Sequence, residues 1–398
     1  MFVELHILQN FAPSNLNRDD TGAPKDCEFG GYRRARVSSQ CLKRAIRTCF
    51  EKEKLLPESA LARRTKGLAG ELVRCLGTRG KAADEARAVV EAGLKGYGLA
   101  LKEENKTEYP LFLGRSEIDA LAGVCADYWD DLAKVAAEGA PSEEGATNAH
   151  RTAREAKKAA KQTMPDAVRK AVDAVLNGGR AADLALFGRM IADLPGKNVD
   201  AACQVAHAIS TNKVSVEFDF FTAVDDLKPN DTAGAGMLGT VEFNSACFYR
   251  YANVDLAQLT LNLGGDEELA RKTLDAFIRA SIAAVPTGKQ NSMAAQNPPS
   301  FVFAVARKAG LWSLANAFCD PVRPRERGLV QESVSALDGY WGKLAKMYGE
   351  QEIAGKWACS LDEAGLVALA PVRVDTVAEL VAGVLSAATF APEDGARR

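Results

Sequence analysis

Histidine is scarce in this chain, cysteine never falls in metal-binding spacing, and long apolar runs are missing; each shortage removes a class of function. Only His6, His150 and His207 are present. The nine cysteines (27, 41, 49, 75, 125, 203, 247, 319 and 359) are odd in number and include no CxxC pair. A tetrahedral zinc site therefore has little to draw on, and the expectation is reduced thiols, no metal and no cofactor. No apolar run approaches the roughly eighteen residues that a membrane helix needs. Since the chain also opens directly on a strand-like alternation, it reads as soluble and cytoplasmic, without leader or membrane partner. Charge of either sign is not in excess: the formal net charge is −2 over 398 residues. A polyanion would have to be held by cations placed locally.

What is present reads as α+β. Residues 2–8 (FVELHIL) alternate, with Val3, Leu5 and Ile7 on one face and Glu4 and His6 on the other, as in a half-buried strand. His6 there is expected to be a surface or satisfied side chain, not a ligand. Residues from about 55 to 180 are rich in Ala, Lys, Arg and Glu and carry helical periodicity, interrupted near EGAPSEEGATNAH. VDAACQVAHAIS, from about 199, has a helical pattern; VSVEFDFF and GTVEFNSACFYRYANVDL read as strands around a Gly-rich loop, a β-hairpin arm. A helix near 267–284, a strand at FVFAV and a helix at LVQESVSALDGYWGKLAKMYG complete the pattern. The elements lack regular βαβ spacing.

The most informative segment is basic. From Gly30 to Phe50 there is no acidic residue, while Arg33, Arg34, Arg36, Lys43, Arg44 and Arg47 lie within it and Lys25 just before. Ser39 is placed to cap a helix whose Cys41, Leu42, Ala45, Ile46 and Cys49 share one side. At about 100° per residue, Gln40, Lys43, Arg44 and Arg47 fall on the opposite side. Solvated faces usually mix signs, so a long run without acids favours phosphate binding, assisted by the free N–H groups of the helix N-terminus. The preceding GGYRRAR reads as a Gly turn into a strand, a second basic row.

Other motifs carry less. Gly234, Gly236 and Gly239 spell GxGxxG but open into a strand pattern, so the context for dinucleotide binding is missing. Thr287–Gly288–Lys289 ends like a P-loop without its first Gly or its Ser/Thr, although Lys289 in a turn can still reach a phosphate. The pairs Asp19–Asp20 and Asp225–Asp226 have the chemistry for Mg²⁺, but adjacent loop acids are usually caps or solvated charges. Of Phe220 and Phe221, consecutive on a strand, one must point away from the core side; a ring free for a base and a two-sided buried pair stand level.

The string LNRDDTGAPKDCEFGGYRRARVSSQCLKRAIR strongly resembles the start of the CasC family, the backbone subunits of the type I-E CRISPR Cascade complex. The similarity continues in FGRM (187–190), AHAISTNKVSVEFDFFTAVDDL (206–227), LGTVEFNSACFYRYANVDLAQL (238–259) and VPTGKQNSMAAQNP (285–298), and is loose between about 55 and 180. The resemblance implies a right-hand form with an RRM-like (ferredoxin-like) palm from 1–54, 181–211 and 241–398. It implies helical fingers over 55–180 and a hairpin thumb over 212–240. Copies would stack along the spacer of a guide RNA, each thumb displacing a base, and present the rest to target DNA beside other Cascade subunits. Lys25, Ser38, Gln40, Lys43 and Arg47 would contact RNA backbone, with Arg18 nearby. Arg33, Arg34, Arg44 and Lys289 are further RNA candidates; Met190 would pack on bases, and Phe220 and Phe221 would form the wedge. Lys157, Lys158 and Lys161 resemble the finger patch that faces DNA. No catalytic residue is implied, but related type III backbone subunits are ribonucleases with an Asp in the loop that here holds Asp19 and Asp20. A nucleotide-binding metabolic enzyme is the third possibility.

Overall fold

A computed structural model of the chain describes residues 1–99, 101–102, 105–138, 164–223, 237–362 and 364–390. Two units are distinguished: Met1–Leu55 with Cys203–Ala257 and Arg271–Arg398, and Leu56–Ala202 with Gln258–Ala270. In chain order the first opens with β1 (Phe2–Ser14), β2 (Asp26–Phe29), β3 (Tyr32–Val37) and α1 (Ser39–Lys52). The second supplies β4 (Ala62–Thr65), α2 (Leu68–Gly77), α3 (Ala83–Tyr97), β5 (Leu111–Gly114), α4 (Arg115–Asp127), α5 (Trp129–Glu138), α6 (Asp166–Val175) and α7 (Ala182–Phe187). The chain returns with β6 (Cys203–Val205), β7 (Ala208–Ser210), β8 (Glu217–Ala223) and β9 (Met237–Asp255). After these come α8 (Leu256–Asn262), α9 (Glu267–Ala283), α10 (Gln290–Met293), β10 (Phe301–Arg307), α11 (Leu329–Tyr348), β11 (Ile353–Ser360) and α12 (Val377–Ala387). Helices and a large antiparallel sheet make this an α+β protein.

In the first unit the sheet order is β11-β10-β1-β9-β7-β3-β2, with β6 and β8 also paired to β9. β1 is buried on both faces, not half-buried as its alternation implies. Its apolar face holds Val3, Leu5 and Ile7. Its other face, with Glu4, His6 and Leu8, meets Tyr249, Tyr251 and Phe303 and lies under Trp341 of α11. The two polar residues on that face are satisfied, not solvated. Glu4 accepts from Tyr251 Oη (2.7 Å) and Trp312 N (2.8 Å) and pairs with Arg307. His6 Nδ1 lies 2.9 Å from Tyr249 Oη, which also accepts from Leu314 N; the hydroxyl proton therefore goes to the imidazole. On the opposite face Arg250, paired with Ile7, donates to Gln9 Oε1 and to Ser281 O of α9 (both 2.6 Å).

Residues 199–210 are not a helix. β6 and β7 form there because Cys203–Val205 and Ile209–Ser210 find open backbone groups on β9. A long neighbouring strand outweighs a local pattern, since each buried N–H and C=O needs a partner. The strands predicted at VSVEFDFF and GTVEFNSACFYRYANVDL are β8 and β9, antiparallel from Glu217↔Phe243 to Ala223↔Met237. The second unit is mostly helical and adds the small sheet β4–β5, which the sequence pattern did not indicate. Its apolar core includes Leu72, Val90, Leu111, Leu113, Leu121, Leu132 and Val168. There Glu117, buried, pairs with Arg189 (2.9 Å) and accepts from Gly114 N and Gly178 N.

Burial, and secondarily the charge of Arg307, lower the pKa of His6 to about 3. A histidine at about 6.5 in the unfolded chain takes up its proton first, so this stability is present above pH 6.5 and is lost as pH falls from there toward 3. Between pH 7.5 and 5 the expected loss is about 2 kcal/mol. Denaturant titrations at the two pH values check it: His6→Gln should lose about 2 kcal/mol less than the parent over the same interval.

Candidate nucleic-acid interface

Helix α1 begins one residue earlier than expected. Ser38, in extended conformation, is the N-cap, and its Oγ accepts from Cys41 N at 3.3 Å. Leu42, Ala45, Ile46, Cys49 and Phe50 are the buried side. Gln40 and Arg44 are exposed, and Lys43 and Arg47 half-buried, on the other. The predicted division of the helix into packed and cationic faces is present.

The tertiary structure then adds neighbours that spacing could not supply. β1 runs out into residues 15–25, and Asn17 ties that loop to the helix start: its Oδ1 accepts from Ser38 N (2.8 Å) and its carbonyl from Lys25 N (2.8 Å). Asn15 Nδ2 donates to Gly22 O (2.9 Å) and Glu242 O (2.8 Å), holding the loop to β9. The turn Thr287–Lys289 presses on the same loop. A Cβ at Gly288 would stand 2.3 Å from Leu16 O and 2.6 Å from Asn15 O, so the position needs glycine. Lys25, the first turn of α1 and Lys289 thus converge on the loop after β1. Arg18, Lys25, Arg44 and Lys289 have no acidic partner among the described residues.

The thiols and imidazole nearby register this field. Burial raises the pKa of Cys41 against the pull of Arg44 and Lys25, and pushes Cys203 up to about 12 against that of Lys43. His207 is lowered by burial and then by Arg36 and Lys25; its Nδ1 lies 3.0 Å from Arg36 Nη1. A guanidinium can only donate, so His207 is neutral and accepts there. Asn17 and His207 were not among the sequence candidates, because their roles depend on partners 21 and 171 positions away.

The second basic row does not exist as a row. β2 and β3 join through Gly30 and Gly31, both at positive φ, a two-residue hairpin turn. Strand alternation then separates the arginines. Arg33 is exposed and paired with Asp26, so the acid-free run meets an acid across the hairpin. Arg34 is fully buried, donating to the carbonyls of Ser210 (3.0 Å), Thr211 (2.8 Å), Phe318 (2.7 Å) and Cys319 (3.0 Å). It has no surface for a phosphate, and its expected place among the RNA contacts is corrected to a structural one.

In the second unit Met190 is 81% exposed, directly after the buried Arg189–Glu117 pair. On the arm every residue of β8 is exposed, so neither Phe220 nor Phe221 belongs to a buried pair. They differ nonetheless. Phe221 lies over Gly239, where a Cβ would come 2.4 Å from its ring, whereas Phe220 shares the other face with Phe218. Asp19 caps its own turn, accepting from Thr21 N, Thr21 Oγ1 and Ala23 N. Lys157, Lys158, Lys161, Asp225, Asp226, Gly234 and Gly236 lie outside the described residues. All nine cysteines are unpaired, and among the described residues no helix is long and apolar enough to cross a membrane.

An α+β protein in which Arg18, Lys25, Arg44 and Lys289, with no acidic partner among the described residues, gather around one helix start and the loop after its first strand is the class that fold and site define. The chain belongs to the CT1975-like protein family, whose model matches residues 3–383. Among solved structures, a chain of a "CRISPR RNA-guided surveillance complex, pre-nicking" is 31% identical at a TM-score of 0.84. A chain of another "CRISPR RNA-guided surveillance complex" is 26% identical at 0.72. Each match covers 98% of this chain and 100% of the other. No curated protein matches.

The cap assignment gives a direct check. Ser38→Ala should lower stability by about 1 kcal/mol in denaturant melts, and Ser39→Ala by far less.

Proposed function

We propose that the chain is a non-catalytic backbone subunit that binds a CRISPR guide RNA, repeats along its spacer and presents it for pairing with target DNA in antiviral defence. The observation that carries this is the convergence of Lys25, the Ser38-capped start of α1 and Lys289 on one loop, beside the cationic face Lys43–Arg44–Arg47. The full-length likeness to chains of RNA-guided surveillance complexes supports it. More specifically, the reading is of the type I-E CasC kind, in a cytoplasmic assembly with other Cascade subunits and further copies of itself. The sheet unit would serve as an RRM-like palm, the helical unit as fingers and β8–β9 as the thumb.

The physics suits that task. A protein that must accept any spacer should grip phosphate and sugar and leave base edges free. Lys25, Lys43, Arg44, Arg47, Arg18 and Lys289 supply charge; Gln40 and the first-turn N–H groups of α1 supply donors. Met190 and the rings of β8 offer apolar surface to bases without reading them. No chemistry is assigned to the Asp19–Asp20 pair. Regular Mg²⁺-dependent cleavage of complementary RNA by the assembled complex, lost in Asp20→Ala, would overturn the non-catalytic reading.

Co-expressed with a CRISPR array and partner subunits, the chain should carry RNA of one discrete length. Lys43→Glu with Arg47→Glu should abolish that RNA while circular dichroism stays unchanged; undiminished RNA in the double variant refutes the site. Binding of single-stranded RNA should weaken with salt at a log–log slope of roughly −3 or steeper, about 0.7 per phosphate contact. A slope near zero would place the affinity elsewhere.

A further inference from the structure

Beside the start of α1 stand two basic side chains that the contacts proposed above leave unused, Arg36 and His207. β2 pairs Asp26 with Ala35 of β3, and the next step of the hairpin sets Lys25 beside Arg36, whose N–H donates to Lys25 O at 2.9 Å. On the other edge of β3, β7 pairs Ala208 with Val37 and Ile209 with Arg36, which brings His207 alongside. Lys25, Arg36 and His207 therefore form one row across the sheet. Arg36 Nε donates to Asp26 O (3.1 Å), and its Nη1 donates to His207 Nδ1 (3.0 Å). Both anchors are neutral, so the guanidinium is held in place and keeps its charge. The carboxylate of Asp26 alternates to the other face of the hairpin, where it pairs with Arg33. Lys25 and Arg36 have no acidic partner among the described residues.

Like charges set directly opposite each other on two strands destabilise a sheet. This row keeps two of them together with an imidazole, and an anion is what would make the grouping favourable. Partial burial, then Arg36 and Lys25, lower the pKa of His207 from its ordinary 6.5, so the imidazole is neutral in the free chain. Arg36 of β3 and Lys25 of the loop before β2 are the charges that face it; on the α1 side Lys43 acts on the thiol of Cys203 in β6. An anion entering the row accepts from Arg36 and Lys25 and offsets the two charges that oppose a proton on His207. It also gives the protonated imidazole an acceptor. The row leads, through Val37, into Ser38 and the first turn of α1, where the guide's backbone is placed. We propose that Lys25, Arg36 and His207 form one phosphate subsite of the guide-RNA site, whose imidazole takes up a proton from solvent as the phosphate arrives. This rests on the guide-RNA reading above. The sign follows from linkage: a group that holds its proton more tightly in the complex than in the free chain makes affinity rise as pH falls between the two pKa values.

The test titrates the full chain with single-stranded RNA at a series of pH values from 8 to 6. The parent's affinity should rise about threefold or more over that range. Calorimetry in two buffers of different ionisation heat should show protons taken up on binding. His207→Asn, whose Oδ1 still accepts from Arg36 but which gains no proton, should lose most of that rise. Arg36→Gln should weaken binding about tenfold at low salt and flatten the salt slope by about 0.7, one phosphate contact. An equal pH response in the parent and His207→Asn would overturn the proposal. Unchanged affinity and slope in a folded Arg36→Gln would overturn it too. Either result, with RNA still bound, leaves the guide-RNA reading standing on Lys43 and Arg47. A parent chain that binds no RNA at any pH or salt would refute that reading and this subsite with it.

Discussion

The long antiparallel pairing of β1 with β9, from Phe2↔Asp255 to Ser14↔Asn244, is the constraint on which the sheet unit depends. It places β1 between β9 and β10, so its backbone groups are paired on both edges, while α9 and α11 cover its two faces and the polar groups there are satisfied. It also fixes where β1 ends. Asn15, bonded to Glu242 O on β9, starts the loop that receives Lys25, the N-cap of α1 and the Gly288 turn. The candidate interface is therefore set by strand register before any of its cations is considered.

Arginine in this protein does two separate jobs. Arg34, Arg189, Arg250 and Arg307 are buried, bound to carbonyls or carboxylates; removing one partner from such a site costs about 3–5 kcal/mol when a charge is stranded. Arg18, Arg44 and Arg64 stand at the surface with no acidic partner among the described residues. The buried set holds the scaffold, the surface set is left as a local excess of positive charge, and that excess coexists with a net charge of −2.

Much of the fold was legible. The periodicity of Ser39–Lys52, Glu267–Ala283 and Leu329–Tyr348 matches the helices found there, and the alternation of Glu217–Ala223 and Met237–Asp255 matches the arm. The cationic face of α1 was legible for the same reason: a helix places residues three and four apart together, whatever surrounds it. Where the reading failed, distant partners decided. Residues 203–210 became strands because β9 was there to pair with them. Glu4 and His6 were buried because Tyr251, Arg307, Tyr249 and Phe303 arrived from the other end of the chain.

The sequence by itself determined the acid-poor stretch, the helix that sorts its cations onto one side, and a family resemblance spread over most of the chain. Only the tertiary structure decided which arginines face water, that Asp26 neutralises Arg33, that Ser38 and not Ser39 caps the helix, that Asn17 ties Lys25 to that cap, and that the Gly288 turn packs on Asn15 and Leu16 of the same loop. The physical reason is the range of the forces that chose. Periodicity and capping preferences act over a few residues, whereas a buried donor or an unpaired strand edge is satisfied by whatever the fold brings near.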